Sequence, residues 1–360
     1  MTRALILTST GGNGLVAASE AIAAALSEAP GDWEPKVVDL PSAVGSLSRF
    51  LVNDLYNALL RRDVGLCGLY VRVGELLSFH SWGDRFEDAR RIRSVILGED
   101  PDVVVVASPW VLRSVTRAMA GSGLPVVSVV VDLGRRLPLG WVCNEVTRGI
   151  VPTEAARGYL VEHGMDPDIL ELGGIIVHPR YLGDGNGRGE AGSVLLLAGY
   201  EGTRRTVRLA HQLLRLGSVS RLHVMCGTNS RLLSDLSFVD DERLMPHGFV
   251  PDMLPFYRNN RVVVTKCGAA TLAECIAMGR PVMVDATSGI MPQEIGNVDL
   301  VRGMGIGMVC TSVEEVAGQT GALLDDIGTL DGVRERIAEA QALLGPYDVA
   351  KAIVREVEGR

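Results

Sequence analysis

Aromatic side chains are scarce in this sequence, at 5% of its 360 residues, so small and aliphatic side chains must fill most of the core. No apolar run approaches the roughly 20 residues that a membrane-spanning helix needs. The opening residues, MTRALILTST, form too short an apolar segment for a signal peptide and fit a first strand better. We therefore expect a globular protein of the cytoplasm.

Patterns that mark nucleic-acid and metal binding are missing as well. The net charge is −8 and the pI about 5.4, which argues against nucleic acid as the main partner. The six cysteines are scattered, without a CxxC pair or a His/Cys cluster of metal-ligand spacing. This pattern indicates reduced core thiols in a cytoplasmic protein, and no metal site is predicted.

What the sequence does contain is enough apolar material for two cores, since 47% of its residues are hydrophobic. Uninterrupted β-branched runs alternate with helical stretches in both halves, a pattern typical of parallel strands covered on both faces. The Gly-rich segment 183–189 marks a boundary between the halves. The predicted fold class is α/β, with two doubly wound, Rossmann-like domains.

The stretch 261–297 carries the clearest sign of a ligand site. A buried strand, Val262–Thr265, leads through a small-residue turn at Gly268 into a helix. Glycine lets the backbone approach a ligand, and the free N–H groups of the first helical turn can bind an anion. Glu274 lies about one turn further on, where a carboxylate would suit a sugar diol. The pattern suits a nucleotide site, and from these residues alone a strand–turn–helix unit that binds nothing stays open as the more common alternative.

A second Gly-rich turn, Ser9–Gly14, follows the first predicted strand and opens a helix. This geometry suits a phosphate or sugar cradle, with Gly12 and Asn13 as candidate contacts. A tight turn without a ligand explains the same residues.

Five ordered blocks resemble the donor-binding half of the GT-B glycosyltransferases: LLLAGYEG (195–202), VMCGTNSRL (224–232), HGFVPDM (247–253), VVTKCGAATLAE (263–274) and QEIGN (293–297). The most similar branch holds the bacterial N-acetylglucosaminyltransferase of peptidoglycan synthesis, plant monogalactosyldiacylglycerol synthase and bacterial diacylglycerol glucosyltransferases. The resemblance implies two domains facing across a cleft: an acceptor-side domain, 1–182, and a UDP-sugar-binding domain, 193–345. A last helix, 346–360, is expected to return to the first domain.

The resemblance also implies where the donor binds. A UDP-sugar is expected as a substrate, with no other cofactor. Gly227 and Asn229 correspond to the base and ribose side, although Asn229 would equally serve as a helix cap. Gln293, Glu294 and Asn297 correspond to residues that hold the donor sugar, although the first two also suit an ordinary helix start. The remaining candidate donor contacts are Gly199, Phe249, Val250, Gly268, Ala269, Ala270, Thr271 and Glu274.

The general base is less well determined. Asp132 follows the apolar run 126–131, at a strand end where sheet enzymes place their chemistry, and it matches an acidic residue of the family. Two histidines of the relatives are absent, because Gly14-Leu15 and Leu137-Pro138 stand in their places. Asp132 is therefore the first candidate for the base and His80 the second.

His80 belongs to a stretch, 46–93, that is rich in aromatic and basic residues. In the lipid-modifying relatives this region forms the acceptor side, and it would suit a peripheral contact with anionic lipid at the inner face of a membrane. An ordinary amphipathic insert is the alternative.

The predicted function is inverting, metal-independent transfer of a hexose or N-acetylhexosamine from a UDP-sugar to a lipid or natural-product hydroxyl. The helix that follows Gly268 would stabilise the departing diphosphate in place of a metal ion. Two alternatives stay open: a UDP-sugar 2-epimerase or hydrolase of the same fold, and a catalytically silent nucleotide-sugar-binding subunit.

Overall fold

The computed structural model describes residues 1–11, 13–62, 64–79, 89–183, 187–198 and 203–359. The chain divides into two compact units, Met1–Pro179 with Leu343–Arg360, and Arg180–Ala342. These units differ in detail from the predicted ranges, because the segment from Arg180 onward packs with the second unit. The backbone at Gly189, for example, lies against the backbone of Asn260.

The first unit is built around a six-stranded sheet of order β2-β1-β3-β4-β5-β6 in which every pairing is parallel. The central strand β3 consists of four fully buried valines, as expected for a strand covered on both faces. The strands are β1 Thr2–Thr8, β2 Trp33–Asp39, β3 Val103–Val106, β4 Val126–Val129, β5 Arg148–Val151 and β6 Leu170–Leu172.

Nine helices belong to the described part of this unit. A π-helical turn, Phe50–Asp54, joins the third to the fourth of them. The helices are α1 Asn13–Ser27, α2 Leu40–Val44, α3 Ser46–Arg49, α4 Leu55–Arg62, α5 Val64–Phe79, α6 Ala89–Gly98, α7 Leu112–Met119, α8 Glu154–Glu162 and the C-terminal α16 Pro346–Glu358.

The second unit contains another six-stranded parallel sheet, of order β12-β11-β10-β7-β8-β9. Its strands are β7 Ser193–Leu197, β8 Arg221–Met225, β9 Leu244–His247, β10 Val262–Thr265, β11 Val282–Asp285 and β12 Gly307–Cys310. Its helices are α9 Thr203–Leu214, α10 Ser230–Ser237, α11 Leu254–Asn259, α12 Ala269–Ala277, α13 Ile295–Met304, α14 Val313–Asp325 and α15 Ile327–Ala340.

The strand order of the second sheet indicates where a ligand site is expected. The sheet grows outward from β7 through β8 to β9, and the chain then returns to place β10 on the other side of β7. This is the Rossmann order, in which ligands bind beyond the carboxyl ends of the strands where the order reverses. The α/β fold with two Rossmann-like sheets is thus confirmed, and β10 leads from this switch point directly to Gly268.

Three of the observed strands, β6, β9 and β12, were not predicted individually. All three lie at the edges of their sheets, where fewer neighbours cover them. Their sequences mix polar, glycine and proline residues with apolar ones, and none is completely buried. They therefore lack the uninterrupted apolar run that identifies a central strand.

The C-terminal helix α16 packs on the first sheet. The Ile175 N–H donates to the Leu343 carbonyl at 2.7 Å, and the Gly345 N–H donates back to Ile175 at 3.0 Å. Gly345 has no room for a side chain, because a Cβ there would overlap the Gly173 carbonyl. Beyond this crossing, Val349 and Ile353 of α16 lie in the core of the first unit.

Replacing Ile353 with alanine should destabilise the first unit by about 2–5 kcal/mol, because it leaves a cavity in a closed core. All four tryptophans, Trp33, Trp82, Trp110 and Trp141, lie in the sequence of this unit. Their fluorescence during urea unfolding therefore measures the loss. Lys351→Ala, on the exposed face of the same helix, is the matched control and should change stability by less than about 0.5 kcal/mol. Equal losses in both variants would show that α16 does not pack as described.

Candidate functional site

Gly268 begins helix α12 at the carboxyl end of the buried strand β10. Its φ of −66° and ψ of 140° are available to any residue, and a Cβ built there meets nothing nearer than Glu294 Oε1 at 3.9 Å. Neither backbone conformation nor packing therefore requires a glycine. No side chain caps the helix start, so the first N–H groups of α12 face this small-residue turn uncapped.

A hydrogen bond from Asn297 of α13 holds the turn between β10 and α12 in place. Asn297 is 1% exposed, and its Nδ2 donates to the Cys267 carbonyl at 2.7 Å. This bond ties the chain just before Gly268 to the helix that the QEIGN block opens. Two of the five sequence blocks therefore meet at one point, as their predicted roles in one donor site require.

Gln293 and Glu294 lie in a short 3₁₀ helix, Pro292–Glu294, that leads into α13. The Glu294 carboxylate lies beside Gly268, and after burial it is the next cause that raises the pKa of the Cys267 thiol. Cys267 is therefore a neutral thiol at this turn. The polar residues of the 3₁₀ helix are placed next to the helix start that is expected to hold phosphate.

Glu274 is placed one turn into α12. The Tyr257 hydroxyl of α11 donates to Glu274 Oε2 at 2.7 Å. Desolvation raises the pKa of Glu274 to about 7, and the Tyr257 hydrogen bond and the Arg180 charge oppose that rise. Tyr181 packs edge-on against Tyr257, with ring centroids 5.8 Å apart.

The supporting residues Tyr257, Arg180 and Tyr181 were missed by sequence reasoning. Their sequence signal was weak, because Tyr257 lies just outside the HGFVPDM block and Arg180 and Tyr181 belong to the segment that joins the two halves.

A further residue that the sequence did not single out is Lys266, between Thr265 of β10 and Cys267. Its Nζ donates to the Ser288 hydroxyl at 2.6 Å. The only available signal was its place inside the VVTKCGAATLAE block. It brings a positive charge to the segment that leads into Gly268.

The loops after β8 and β9 also meet. The Cys226 N–H donates to the His247 carbonyl at 2.8 Å, and a Cβ built on Gly248 would lie in ordinary contact with the Gly227 carbonyl oxygen, at 4.0 Å. Gly227 has a φ of +54°, which favours glycine. Asn229 Oδ1 accepts the Leu232 N–H at 3.0 Å, so its side-chain oxygen caps α10, which is the structural alternative.

Phe249 and Val250 follow in the loop after β9. The Phe249 side chain is 70% exposed, and Val250 is half-buried. This loop holds two of the predicted donor contacts. An exposed ring beside it offers a further apolar surface to a planar ligand.

In the first unit, Asp132 lies beyond the carboxyl end of β4. The Trp141 Nε1–H donates to Asp132 Oδ2 at 2.8 Å. Desolvation raises the pKa of Asp132 to about 6, and the Trp141 bond partly opposes the rise. The carboxylate is thus oriented by a fully buried indole and poised near neutral pH. Trp141 was not predicted, because nine residues separate it from its partner.

Asn13 begins α1, whereas Gly12, His80 and Gly199 lie outside the described residues. The Gly-rich turn before α1 is held by Asp39, which accepts from Thr10, Ser42 and the Asn53 amide. Sequence reasoning missed this network, since Asp39 resembles an ordinary residue at a strand end.

Two Asp-x-Asp sequences occur in the chain, at 100–102 and 166–168. The carboxylates of both make hydrogen bonds or ion pairs within the protein. Asp102 accepts the Arg3 N–H and Asp100 pairs with the Arg3 guanidinium, each at 2.8 Å. Asp166 caps a short 3₁₀ helix by accepting the Asp168 N–H at 2.9 Å. Within the described ranges, no three His, Cys, Asp or Glu side chains form a group able to hold a metal ion.

These features define the class of protein: two Rossmann-like units with an uncapped helix start at the switch point of the second, which is the GT-B fold. No family model matches the chain. It is 26% identical over 279 residues to a processive diacylglycerol β-glucosyltransferase of Bacillus pumilus, covering 74% of this chain and 72% of the relative. It is 28% identical over 342 residues to the chloroplastic monogalactosyldiacylglycerol synthase of Spinacia oleracea, covering 88% of this chain but only 65% of that relative.

Solved structures agree on the fold. MurG of Acinetobacter baumannii superimposes over the whole of both chains with a TM-score of 0.62 at 13% identity. A putative UDP-N-acetylglucosamine 2-epimerase of Listeria monocytogenes gives 0.61 at 16% identity, over 99% of this chain and 96% of that one. The relatives confirm the resemblance to the glycosyltransferase branch named above and, with it, the predicted class of enzyme. The structural likenesses show the fold alone.

Glu274 should make stability depend on pH. Its pKa is about 7 when folded against an ordinary 4.5, so the folded carboxyl keeps a proton that the unfolded chain has released. Its contribution to stability is full below pH 4.5 and is lost as pH rises through about 7. Glu274→Gln should remove this loss, so the variant gains stability over the wild type as pH increases. Melting temperatures across this range measure the difference.

Two variants sharpen that measurement. Tyr257→Phe removes a hydrogen bond that lowers the pKa of Glu274, so the loss should move to higher pH. Glu335→Gln, at an exposed position of α15, should follow the wild-type curve. If Glu274→Gln also followed the wild-type curve, the carboxyl would not be desolvated as described.

Proposed function

We propose that the chain is an inverting, metal-independent glycosyltransferase that moves a hexose or N-acetylhexosamine from a UDP-sugar to the hydroxyl of a lipid acceptor. The observation that carries the proposal is the start of α12. There, a glycine that the fold does not require heads an uncapped helix at the switch point of a Rossmann sheet. A close approach of diphosphate to the backbone explains the glycine.

The helix start supplies the charge that the leaving group needs. The dipole of an α-helix is equivalent to about half a positive charge at its N-terminus. The N–H groups of Ala269, Ala270 and Thr271 can donate to phosphate oxygens, and Lys266 adds a full positive charge. As the bond from the sugar to the diphosphate breaks, negative charge grows on the diphosphate, and fixed donors stabilise it without reorganising.

The neighbouring side chains suit the rest of the donor. Glu274, oriented by Tyr257, offers acceptor oxygens to the ribose hydroxyls. Gln293 and Glu294 lie beside the helix start and suit the hydroxyls of the transferred sugar. Asn297 acts indirectly on the donor, because its side chain holds the turn at Cys267 in place. The donor is a substrate in this scheme, and no separate cofactor takes part.

The acceptor side is assigned to helices α3 to α5 of the first unit. These helices expose an unusual set of large apolar side chains together with arginines. Such a mixture suits a lipid with an anionic surface around it. The names of the two relatives above both contain diacylglycerol, which supports a lipid acceptor. We propose that the chain reaches it by peripheral contact at the inner face of a membrane. The exposed side chains are Leu47, Phe50, Leu66, Leu69 and Val73, with Arg49 and Arg72 among them.

The described residues include no helix that is long and apolar enough to cross a bilayer.

The general base is assigned to Asp132. A carboxylate with a pKa of about 6 is ionised at neutral pH and still basic enough to take a proton from an acceptor hydroxyl as that oxygen attacks the sugar. Trp141 is a positioning residue, because its N–H fixes one carboxylate oxygen and leaves the other for the proton. The histidines that relatives carry are not needed for this step.

Gly268→Ala should weaken UDP binding by about tenfold or more, because the new methyl group occupies space that the diphosphate needs. The fold should be unaffected, since that methyl meets nothing within 3.9 Å except one Glu294 oxygen. Calorimetric titration with UDP and a melting curve give the two readouts. Gly303→Ala, in an open position of α13, is the control and should keep wild-type affinity. Unchanged UDP affinity in Gly268→Ala would refute the diphosphate site.

Asp132→Asn should lower the transfer rate by about 10²- to 10⁴-fold while UDP affinity stays unchanged. Wild-type activity should rise with pH and level off above about 6, where Asp132 is ionised. Trp141→Phe removes a bond that lowers this pKa, so its profile should move to higher pH.

The same assay separates transfer from the alternatives, because a transferase releases UDP only when an acceptor such as diacylglycerol is present. Release without an acceptor would indicate a hydrolase, conversion to an epimeric UDP-sugar without net release an epimerase, and binding with neither a silent subunit. Near-normal activity in Asp132→Asn would remove Asp132 from the mechanism.

A further inference from the structure

Arg280 lies between α12 and β11 and is 1% exposed. Its Nε, Nη1 and Nη2 atoms all lack a hydrogen-bond partner among the residues that the structure describes. A guanidinium stays charged in proteins, and a buried charge is ordinarily paired and hydrogen-bonded. The donor–acceptor balance at Arg280 is therefore incomplete without a further acceptor.

More positive charge surrounds this residue. Burial is the largest cause lowering the pKa of Arg280 to about 10, and the charges of Arg334 and Arg261 lower it further. The Nε atoms of Arg261 and Arg334 are also buried without a partner in the described chain. Arg334 additionally donates to the carbonyl of Arg188. Together, Arg188, Arg261, Arg280 and Arg334 form an arginine cluster.

Among the residues that the structure describes, one carboxylate forms ion pairs with this arginine cluster. Asp331 of α15 pairs with Arg334 Nη1 at 3.4 Å and with Arg188 Nη2 at 3.4 Å. Four guanidinium groups against one carboxylate leave a formal excess of three positive charges. Neither ion pair reaches Arg280 or Arg261, so the most deeply buried charge, that of Arg280, has no counter-charge among the described residues.

The arginine cluster lies away from the donor site. Arg261 directly precedes β10, Arg280 is separated from β11 by one residue, and Arg188 comes shortly before β7. These are the amino ends of parallel strands, whereas Gly268 follows a carboxyl end. The cluster therefore occupies the opposite edge of the second sheet from the proposed diphosphate site.

The arginine cluster is reached from the surface at Gly187 and Arg188. Arg188 is 68% exposed, and Gly187 is exposed as well. A Cβ built on Gly187 would lie 3.5 Å from Arg280 Nη2, so the buried guanidinium is directly under the exposed backbone of this glycine. An anion that binds at Arg188 thus lies next to Gly187, whose backbone covers the unpaired guanidinium of Arg280.

We propose that the arginine cluster is a binding site for a phosphate group. Guanidinium forks match the geometry of tetrahedral oxyanions and donate charge-assisted hydrogen bonds to them. A phosphate dianion offsets most of the excess charge and supplies acceptors for the unpaired nitrogens. The group is carried either by free phosphate or by the headgroup of a phospholipid, since both present the same oxygens.

The test measures the melting temperature of the full chain against inorganic phosphate at constant ionic strength, together with calorimetric titration. Arg188→Ser removes an exposed contact without disturbing the core, and Arg280→Met removes the buried charge. Arg208→Ser, an exposed arginine of the same unit that pairs with Glu314, is the matched control. Phosphate should stabilise the wild type and the Arg208→Ser protein equally. Arg188→Ser and Arg280→Met should bind phosphate about tenfold more weakly or not at all.

Binding to vesicles of phosphatidylcholine with and without phosphatidylglycerol distinguishes a lipid headgroup from free phosphate as the source of the phosphate group. Binding to the anionic vesicles that Arg188→Ser abolishes assigns a lipid headgroup, and a response to inorganic phosphate alone assigns a free anion. UDP affinity should be unchanged in Arg188→Ser, which keeps this test independent of the donor site. An equal response to phosphate in all variants, or none in the wild type, would overturn the proposal. If Arg280→Met does not fold, the response of Arg188→Ser to phosphate decides the test alone.

Discussion

The arrangement of the candidate donor site depends on the hydrogen bond from Asn297 to the Cys267 carbonyl. This bond holds the turn between β10 and α12, and the turn determines where the uncapped N–H groups of α12 point. Because Asn297 is itself buried in α13, the position of the proposed anion site is set by the packing of the sheet and not by a surface loop. A site built on rigid elements in this way needs little reorganisation when charge develops on a ligand.

The same packing brings together residues that are far apart in the chain. Tyr257 of α11 orients Glu274 of α12, and the 3₁₀ helix before α13 places Glu294 beside Gly268. Helices that follow neighbouring parallel strands begin at the same edge of a sheet, so their first turns converge. A strand–turn–helix unit of unremarkable sequence thereby becomes one wall of a polar site.

The strands and site residues that could be predicted from the sequence were those with a strong local pattern. The central strands, such as the all-valine β3, were evident from apolar runs, whereas the edge strands β6, β9 and β12 lacked such runs. Gly268 and Glu274 were singled out by the local strand–turn–helix pattern and by the recognisable block that contains them. Tyr257, Trp141 and Asp39 were missed because their importance comes from partners that only the folded chain supplies. Asn229 shows the opposite case, since its oxygen caps α10 as local sequence rules favour.

The most direct test of the central claim is a crystal structure of the chain with UDP bound. The account predicts that the diphosphate oxygens accept hydrogen bonds from the N–H groups at the start of α12, with the β-phosphate directly over Gly268. It would be contradicted by a diphosphate that lies away from this helix start, or by one that is held there through a metal ion.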